Sequence, residues 1–252
     1  MRVNKSNYFD DTGHMSVSRY ILWNKCPAMA AGGYRQPDST ALLVGSYVDA
    51  WCEGEKAFKD FREANWNEIF TKTTGMPKAD FQRADRVIDQ IEGDPFFRRF
   101  LSGKPQAIVT GKIGGVLWKG RIDFLHDDKI VDLKVVKDFD FIWDPITKTR
   151  RSFIEHWGYD IQAAVYQKLE GGGKPFYIAA ATKEPIPRLE VIEIPQAMMD
   201  AALELVEMNL PYIMKLKAME SGWPRCEGCA YCLETRKLEG VLSYEEFKQR
   251  HG

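Results

Sequence analysis

Lys129-Ile130-Val131-Asp132-Leu133-Lys134-Val135-Val136 is a run rich in β-branched residues, bounded upstream by the turn formers His126-Asp127-Asp128. It reads as a strand over 129–136. Side chains alternate across a strand, so Val131, Leu133 and Val135 share one apolar face. Asp132 and Lys134 share the other, a carboxylate and an ammonium in an otherwise apolar segment. The preceding run, 116–125, is a second strand and contains Gly120-Arg121-Ile122-Asp123-Phe124. A hairpin around 126–128 brings Asp123 nearly opposite Asp132. Facing carboxylates repel unless a cation lies between them, and a hard divalent ion with oxygen ligands, Mg²⁺ or Mn²⁺, meets that need. Such an ion polarises a phosphoryl oxygen and makes water a nucleophile, while Lys134 offsets charge growing on the phosphate. The alternative is a solvated ion pair on an edge strand.

Outward from this hairpin, a strand over 106–113 precedes it, joined through the turn signal Gly114-Gly115. Upstream the apolar period is helical. A short helix starts at Ser16 or Ser18 and stops near Cys26-Pro27. One long amphipathic helix is predicted from Thr40 to about Ala64, another from Lys78 to about Ile91, and a third opens at Asp94-Pro95 and ends near Gly103. Downstream come an irregular stretch (137–153) and a helix from about Glu155 to Leu169 closed by Gly171-Gly172-Gly173. Strands at 175–182 and 188–194 and a long helix over 196–220 follow. The order predicts an α/β (α+β) fold, a central mixed β-sheet flanked by helices. The whole chain, 1–252, reads as one domain with an N-terminal helical segment (1–40) and a C-terminal cysteine-rich tail (221–252).

The 252 residues carry a formal net charge of -1, so no global basic field marks a nucleic-acid partner; a local positive lining would serve. Arg98 with Arg99, Lys119 with Arg121, and Lys148, Arg150 and Arg151 form such clusters. No apolar run is long enough to span a membrane, and the N-terminus lacks the apolar core of a secretory signal, so a cytoplasmic protein is expected. Five cysteines, an odd number, stand at 26, 52, 226, 229 and 232. Their C-x-x-C-x-x-C run favours reduced thiols or a metal site over disulfides. Spacings of two suit an iron–sulfur cluster and also zinc. Either needs a fourth ligand, for which Cys26 is the natural choice. Cys52 falls on the apolar side of the long helix and reads as buried.

Gly120-Arg121-Ile122-Asp123, Asp132-Leu133-Lys134 and Tyr159-Asp160-Ile161-Gln162-Ala163-Ala164-Val165-Tyr166, in this order, resemble the PD-(D/E)XK nuclease superfamily. The likeness is to its RecE (exonuclease VIII) and RecB-type branch, related to lambda exonuclease, and covers roughly residues 40–240. The last stretch is similar to that branch's Q-x-x-x-Y helix, in which Gln162 and Tyr166 share a face. The resemblance implies a restriction-endonuclease-like core, a metal-dependent DNA exonuclease, and Asp123, Asp132 and Lys134 at the reaction centre. Gln162 and Tyr166 would contact substrate phosphate or brace the catalytic residues, and Arg121 would contact substrate. Asp49, in Gly45-Ser46-Tyr47-Val48-Asp49, stands where the family usually carries a histidine metal ligand; it is a competent ligand for Mg²⁺, or else a solvated helix residue. A duplex-DNA substrate, a single-strand annealing partner and ring-shaped homo-oligomers are also implied. Some RecB-type nucleases hold a 4Fe–4S cluster with one cysteine before the core and three after it, a layout similar to Cys26, Cys226, Cys229 and Cys232, although the last gap here is shorter. A single-strand nuclease of that kind, or a DNA-binding module without turnover, are the alternatives.

His126 reads as a solvated turn residue, and His156 as a residue that could approach DNA. The stretch 139–153 mixes Phe139, Phe141, Trp143 and Phe153 with Lys148, Arg150 and Arg151. That pattern suits base stacking with phosphate contact; a loop packed down by its own aromatics would look the same.

Overall fold

A computed structural model describes residues 3, 4, 7–33, 39–144, 147–171, 173–238 and 240–251. Five strands form one sheet in the order β1-β2-β3-β6-β7. β1 (Lys104–Ile113), β2 (Val116–Leu125) and β3 (Ile130–Val136) run as an antiparallel meander. β6 (Phe176–Thr182) lies parallel to β3, and β7 (Leu189–Ile194) antiparallel to β6. The sheet is therefore mixed, as the order of elements predicts. A parallel neighbour requires a crossover, and the segment between β3 and β6 supplies it. That segment contains a small hairpin, β4 (Ile142–Asp144) with β5 (Thr149–Arg151), then α8 (Phe153–Trp157) and α9 (Tyr159–Glu170).

Helices cover both faces. α1 (Val17–Lys25) and α2 (Pro27–Ala31) come first, then α3 (Thr40–Glu53), α4 (Glu55–Ala64), α5 (Trp66–Ile69), α6 (Ala79–Gly93) and α7 (Pro95–Phe100). α10 (Gln196–Lys217), α11 (Ala230–Glu234) and α12 (Tyr244–His251) close the chain. On one face Trp118, Ile122, Ile130 and Ile178 pack with Ala163 and Val165 of α9, Val206 and Leu210 of α10, and Tyr20 and Trp23 of α1. On the other, Phe124, Val131, Leu133 and Ala179 pack with Val44 and Val48 of α3 and Phe81 and Val87 of α6. Val131 and Leu133 thus form core on the face opposite Asp132, as alternation along the strand requires.

Four sequence-based expectations need correction. The single helix over Thr40–Ala64 is broken at Gly54, whose φ of 116° an L-residue rarely adopts. The break folds α4 back on α3, so Phe58 meets Tyr47 with ring centroids 4.7 Å apart. In one straight helix those residues would sit about 16 Å apart along the axis, so ring packing decides against continuity. The helix expected from Glu155 starts earlier and divides at Gly158, which is left-handed and lies against Ile21, where a Cβ would stand 2.9 Å from Ile21 Cδ1. The stretch 137–153 is not wholly irregular. Phe139 stacks on the buried Phe153, as in a loop packed down by its own aromatics, while Phe141 and Trp143 are exposed on or beside the β4–β5 hairpin. His126 is half-buried, with Nε2 2.8 Å from the Phe100 carbonyl oxygen, which fastens the β2–β3 turn to the end of α7. Of the three glycines closing α9, Gly171 is left-handed at the C-cap, and Gly172 lies outside the described residues. No helix among the described residues is long and apolar enough to cross a membrane.

Candidate active site at the split between two strands

β2 and β3 pair only beside their turn, Phe124 with Val131 and Leu125 with Ile130. The next pair in that register is Asp123 with Asp132, and there the ladder opens. Instead of a backbone bond across the gap, Asp123 Oδ2 accepts the Leu133 N–H at 3.0 Å. On the other side of β2, Gln106 is buried with a left-handed φ of 53° and falls outside the pairing of β1 with β2. Asp123 thus sits at a local irregularity of the sheet, and the opening lets side chains from both helical layers reach one place.

Asp132 is 1% exposed. From the α9 layer, Gln162 Nε2 donates to its Oδ1 at 2.7 Å, and Lys134 Nζ stands 2.5 Å from its Oδ2. Both oxygens are thus oriented. Lys134 lies over the Tyr159 ring, 4.6 Å from the centroid, a cation–π contact that restrains the ammonium. Burial opposes its charge, but Asp132 and Asp123 outweigh that and hold its pKa above the ordinary lysine range. Tyr166 is buried; burial first, then Tyr8, Asp132 and Asp123, raise its phenol pKa. Gln162 and Tyr166 do share the face of α9 turned to the site, and the burial of Tyr166 suits bracing. From the α3 layer comes Asp49, half-buried, whose carboxyl is pushed up to about 7. Burial is the main cause; Lys134 and Arg121 oppose it, while Asp132 and Glu53 add to it. Asp123 is raised well above the carboxylate range by burial, then by Asp132 and Asp49.

Asp132 adds to the raised proton affinity of both Asp49 and Asp123, so the three carboxyl groups gather acidic charge that the Lys134 ammonium offsets only in part. All are oxygen donors, so the set fits a hard divalent cation. Their spacing is wider than that of the cysteines. Among the described residues, the one group of three or more ligating side chains with all ligand atoms within 4.8 Å of one another is Cys26, Cys226, Cys229 and Cys232.

The structure gives some residues places that the sequence reading did not foresee. Lys119, counted there with Arg121 as basic lining, is buried; its Nζ donates to the backbone oxygens of Tyr8 and Asp11 and pairs with Asp11 Oδ2 at 3.2 Å. It fastens the N-terminal segment to β2 instead of offering charge to a polyanion. That segment brings Phe9, 72% exposed, to 4.9 Å from the Arg121 guanidinium, with Tyr8 edge-on beside it. No local pattern joins residues 111 positions apart such as Tyr8 and Lys119. Tyr159 was legible: it stands three residues before Gln162, on the same helical face. Cys52 is half-buried and senses Asp49 and Asp123, so it borders this site.

Gly120 lies under Tyr166: an added Cβ would stand 2.8 Å from the Tyr166 ring and 3.2 Å from Val109 Cγ2. Gly120→Ala is therefore expected to cost about 1–3 kcal/mol by overpacking. A thermal melt with unchanged Tm would show that the tyrosine yields freely.

The mixed sheet with its β3–β6 crossover and flanking helices has the fold of the PD-(D/E)XK nuclease class, and Asp123, Asp132, Lys134 and Gln162 form its candidate site. Residues 16–235 match a family model described as PDDEXK-like domain of unknown function (DUF3799), and the chain belongs to that family. It is also similar, at 35% identity and a TM-score of 0.89 over 98% of both chains, to a crystal structure of an Eubacterium rectale protein proposed to be an exonuclease. A second solved structure, SSO0001, aligns at 13% identity over 86% of this chain and 93% of its own, with a TM-score of 0.32, too low to bear on the site. No curated protein matches the chain.

Proposed function

We propose that the protein is a divalent-metal-dependent deoxyribonuclease, an exonuclease of RecE-like type acting at duplex DNA ends. The observation that carries this reading is the position of Asp132, its oxygens held by Gln162 and Lys134 beside Asp123 at the strand split. Membership of the PDDEXK-like family and similarity to a protein proposed to be an exonuclease support it.

Asp123, Asp132 and Asp49 would hold Mg²⁺ or Mn²⁺, which when bound supplies Lewis acidity to the scissile phosphate and acidifies water. Lys134 keeps its ammonium through the working pH range and places it, steadied by Tyr159, where charge develops on the phosphate. Gln162 fixes the rotamer of Asp132, a bracing role whose loss commonly lowers metal affinity or activity 10–100-fold. Arg121, with Phe9 over it, offers a cation and an exposed ring near the site; Phe141 and Trp143 with Arg150 extend a surface suited to base stacking and phosphate contact. A single-strand annealing protein and further copies of the chain are the partners that this type of exonuclease would take.

The test is digestion of end-labelled duplex and single-stranded DNA in Mg²⁺ or Mn²⁺, with Gln162→Ala alongside wild type. Release of nucleotides from duplex ends is expected, with Gln162→Ala needing about 10–100 times more metal for half-maximal rate. Intact DNA under every metal, with binding retained, would favour a module without turnover. Preference for single strands would move the protein to the RecB-type reading.

A further inference from the structure

Cys26 lies between α1 and α2, fully buried. The other three cysteines follow α10, roughly two hundred residues on. The structure brings all four together: Sγ of Cys26 is 3.5 Å from that of Cys232 and 3.7 Å from that of Cys229, and Cys226 and Cys232 are 3.9 Å apart. Their surroundings are built for one position. Ala28 and Met29 form a small core with Cys26 and Cys232, flanked by Trp223 and Tyr231. Ala28 N–H donates to the Pro224 carbonyl, and Tyr231 lies so close to Gly32 that a Cβ there would be 2.6 Å from its hydroxyl. Backbone donors aim at sulfur, among them Cys229 N–H at Cys226 Sγ (3.3 Å) and Cys232 N–H at Cys229 Sγ (3.5 Å). Glu227, left-handed at φ 57°, makes the turn that directs the first of them.

These separations decide between the ions that the cysteine pattern admits. Four thiolates about 2.3 Å from one tetrahedral ion stand about 3.8 Å from one another. A cubane cluster is larger, because each thiolate binds a different iron and the sulfurs must spread by the width of the cluster. A disulfide needs sulfurs at about 2.05 Å. Three separations of 3.5–3.9 Å, with all four sulfurs within 4.8 Å of one another, are too long for a disulfide, too short for a cubane cluster and fit the first case. The 4Fe–4S cluster implied by the RecB-type layout does not fit.

We infer that Cys26, Cys226, Cys229 and Cys232 bind a single structural zinc ion, which ties α2 to the tail carrying α11. Four thiolates leave the site negative overall, and Arg225, whose Nη2 donates to the Cys232 carbonyl at 2.6 Å, offsets part of that charge. The inference is independent of the nuclease reading, because it concerns thiolate ligands outside the carboxylate site.

Metal and acid-labile sulfide analysis of the full chain, purified without oxygen or chelator, tests it. One zinc per chain without sulfide is expected. Exchange with Co²⁺ should give the intense visible bands of a tetrahedral thiolate site in the wild-type protein. Cys229→Ser should lose the zinc and lower Tm, whereas Cys52→Ser and Asp123→Asn should keep it. Iron in any amount approaching stoichiometry, sulfide, cysteines paired as disulfides, or a metal-free protein that takes up no cobalt would each overturn the inference.

Discussion

Lys134→Gln is expected to lower the maximal rate of DNA hydrolysis on the order of 10²–10³-fold, the loss typical when one preorganised group stabilising transition-state charge is removed. The Lys134 side chain is 17% exposed and pairs with the Asp132 carboxylate, whose side chain is 2% exposed, so it is neither sealed in the core nor spread on the open surface. Glutamine is one atom shorter but keeps a hydrogen-bond donor for Asp132 and removes the charge. Affinity for DNA rests on cations spread over a wider surface. Binding to labelled duplex in Ca²⁺, an ion that suits the same oxygen donors, should therefore stay near wild type. A rate within a few-fold of wild type, or a loss of binding equal to the loss of rate, would place Lys134 outside the chemistry.

The five strands of the main sheet were legible because each carries its period in its own residues: β2 has the bounds that the sequence predicts, and β3 differs by one residue, whereas the three-residue β4 and β5 are too short to carry one. The helices were less so. Apolar spacing over 40–64 is continuous in the sequence, and the one local signal, Gly54, looks no different there from Gly45, which lies inside α3 without breaking it. The turn is favoured by Phe58 and Phe61 packing on Tyr47, an energy that exists only once α3 is already seated.

The acidic pair and lysine of the candidate site were legible, since the register of the β2–β3 turn carries Asp123 towards Asp132. Its surroundings were not. Pattern could not foretell that the ladder would open there, because the opening depends on Asp123 capturing the Leu133 N–H across the gap. Nor could it foretell that Lys119 would turn away from solvent to hold Tyr8 and Asp11, since a lysine on a strand next to an arginine looks like surface charge until a chain segment covers it.

The same carboxylates should make the metal-free protein less stable as pH rises, and this separates a functional cluster from a structural ion pair. Asp49 and Asp123 have folded-state pKa values above those of the unfolded chain, chiefly through burial and their acidic neighbours. An acid with a raised folded pKa carries no penalty below its unfolded value, near 4. Its penalty grows as pH rises and is complete above the folded value, about 7 for Asp49. A tenfold change in proton affinity is worth about 1.4 kcal/mol, and each kcal/mol moves Tm by about 2–4 °C in a chain of this size. In EDTA the wild type should therefore lose several degrees of Tm between about pH 4 and pH 8 relative to Asp123→Asn, which removes one of the repelling charges. At pH 8 Asp123→Asn should be the more stable protein and lack hydrolytic activity, and added Mg²⁺ should raise Tm in the wild type far more than in the variant. Parallel melting curves across this range, or equal Mg²⁺ responses, would mean that Asp123 bears neither the repulsion nor the ion.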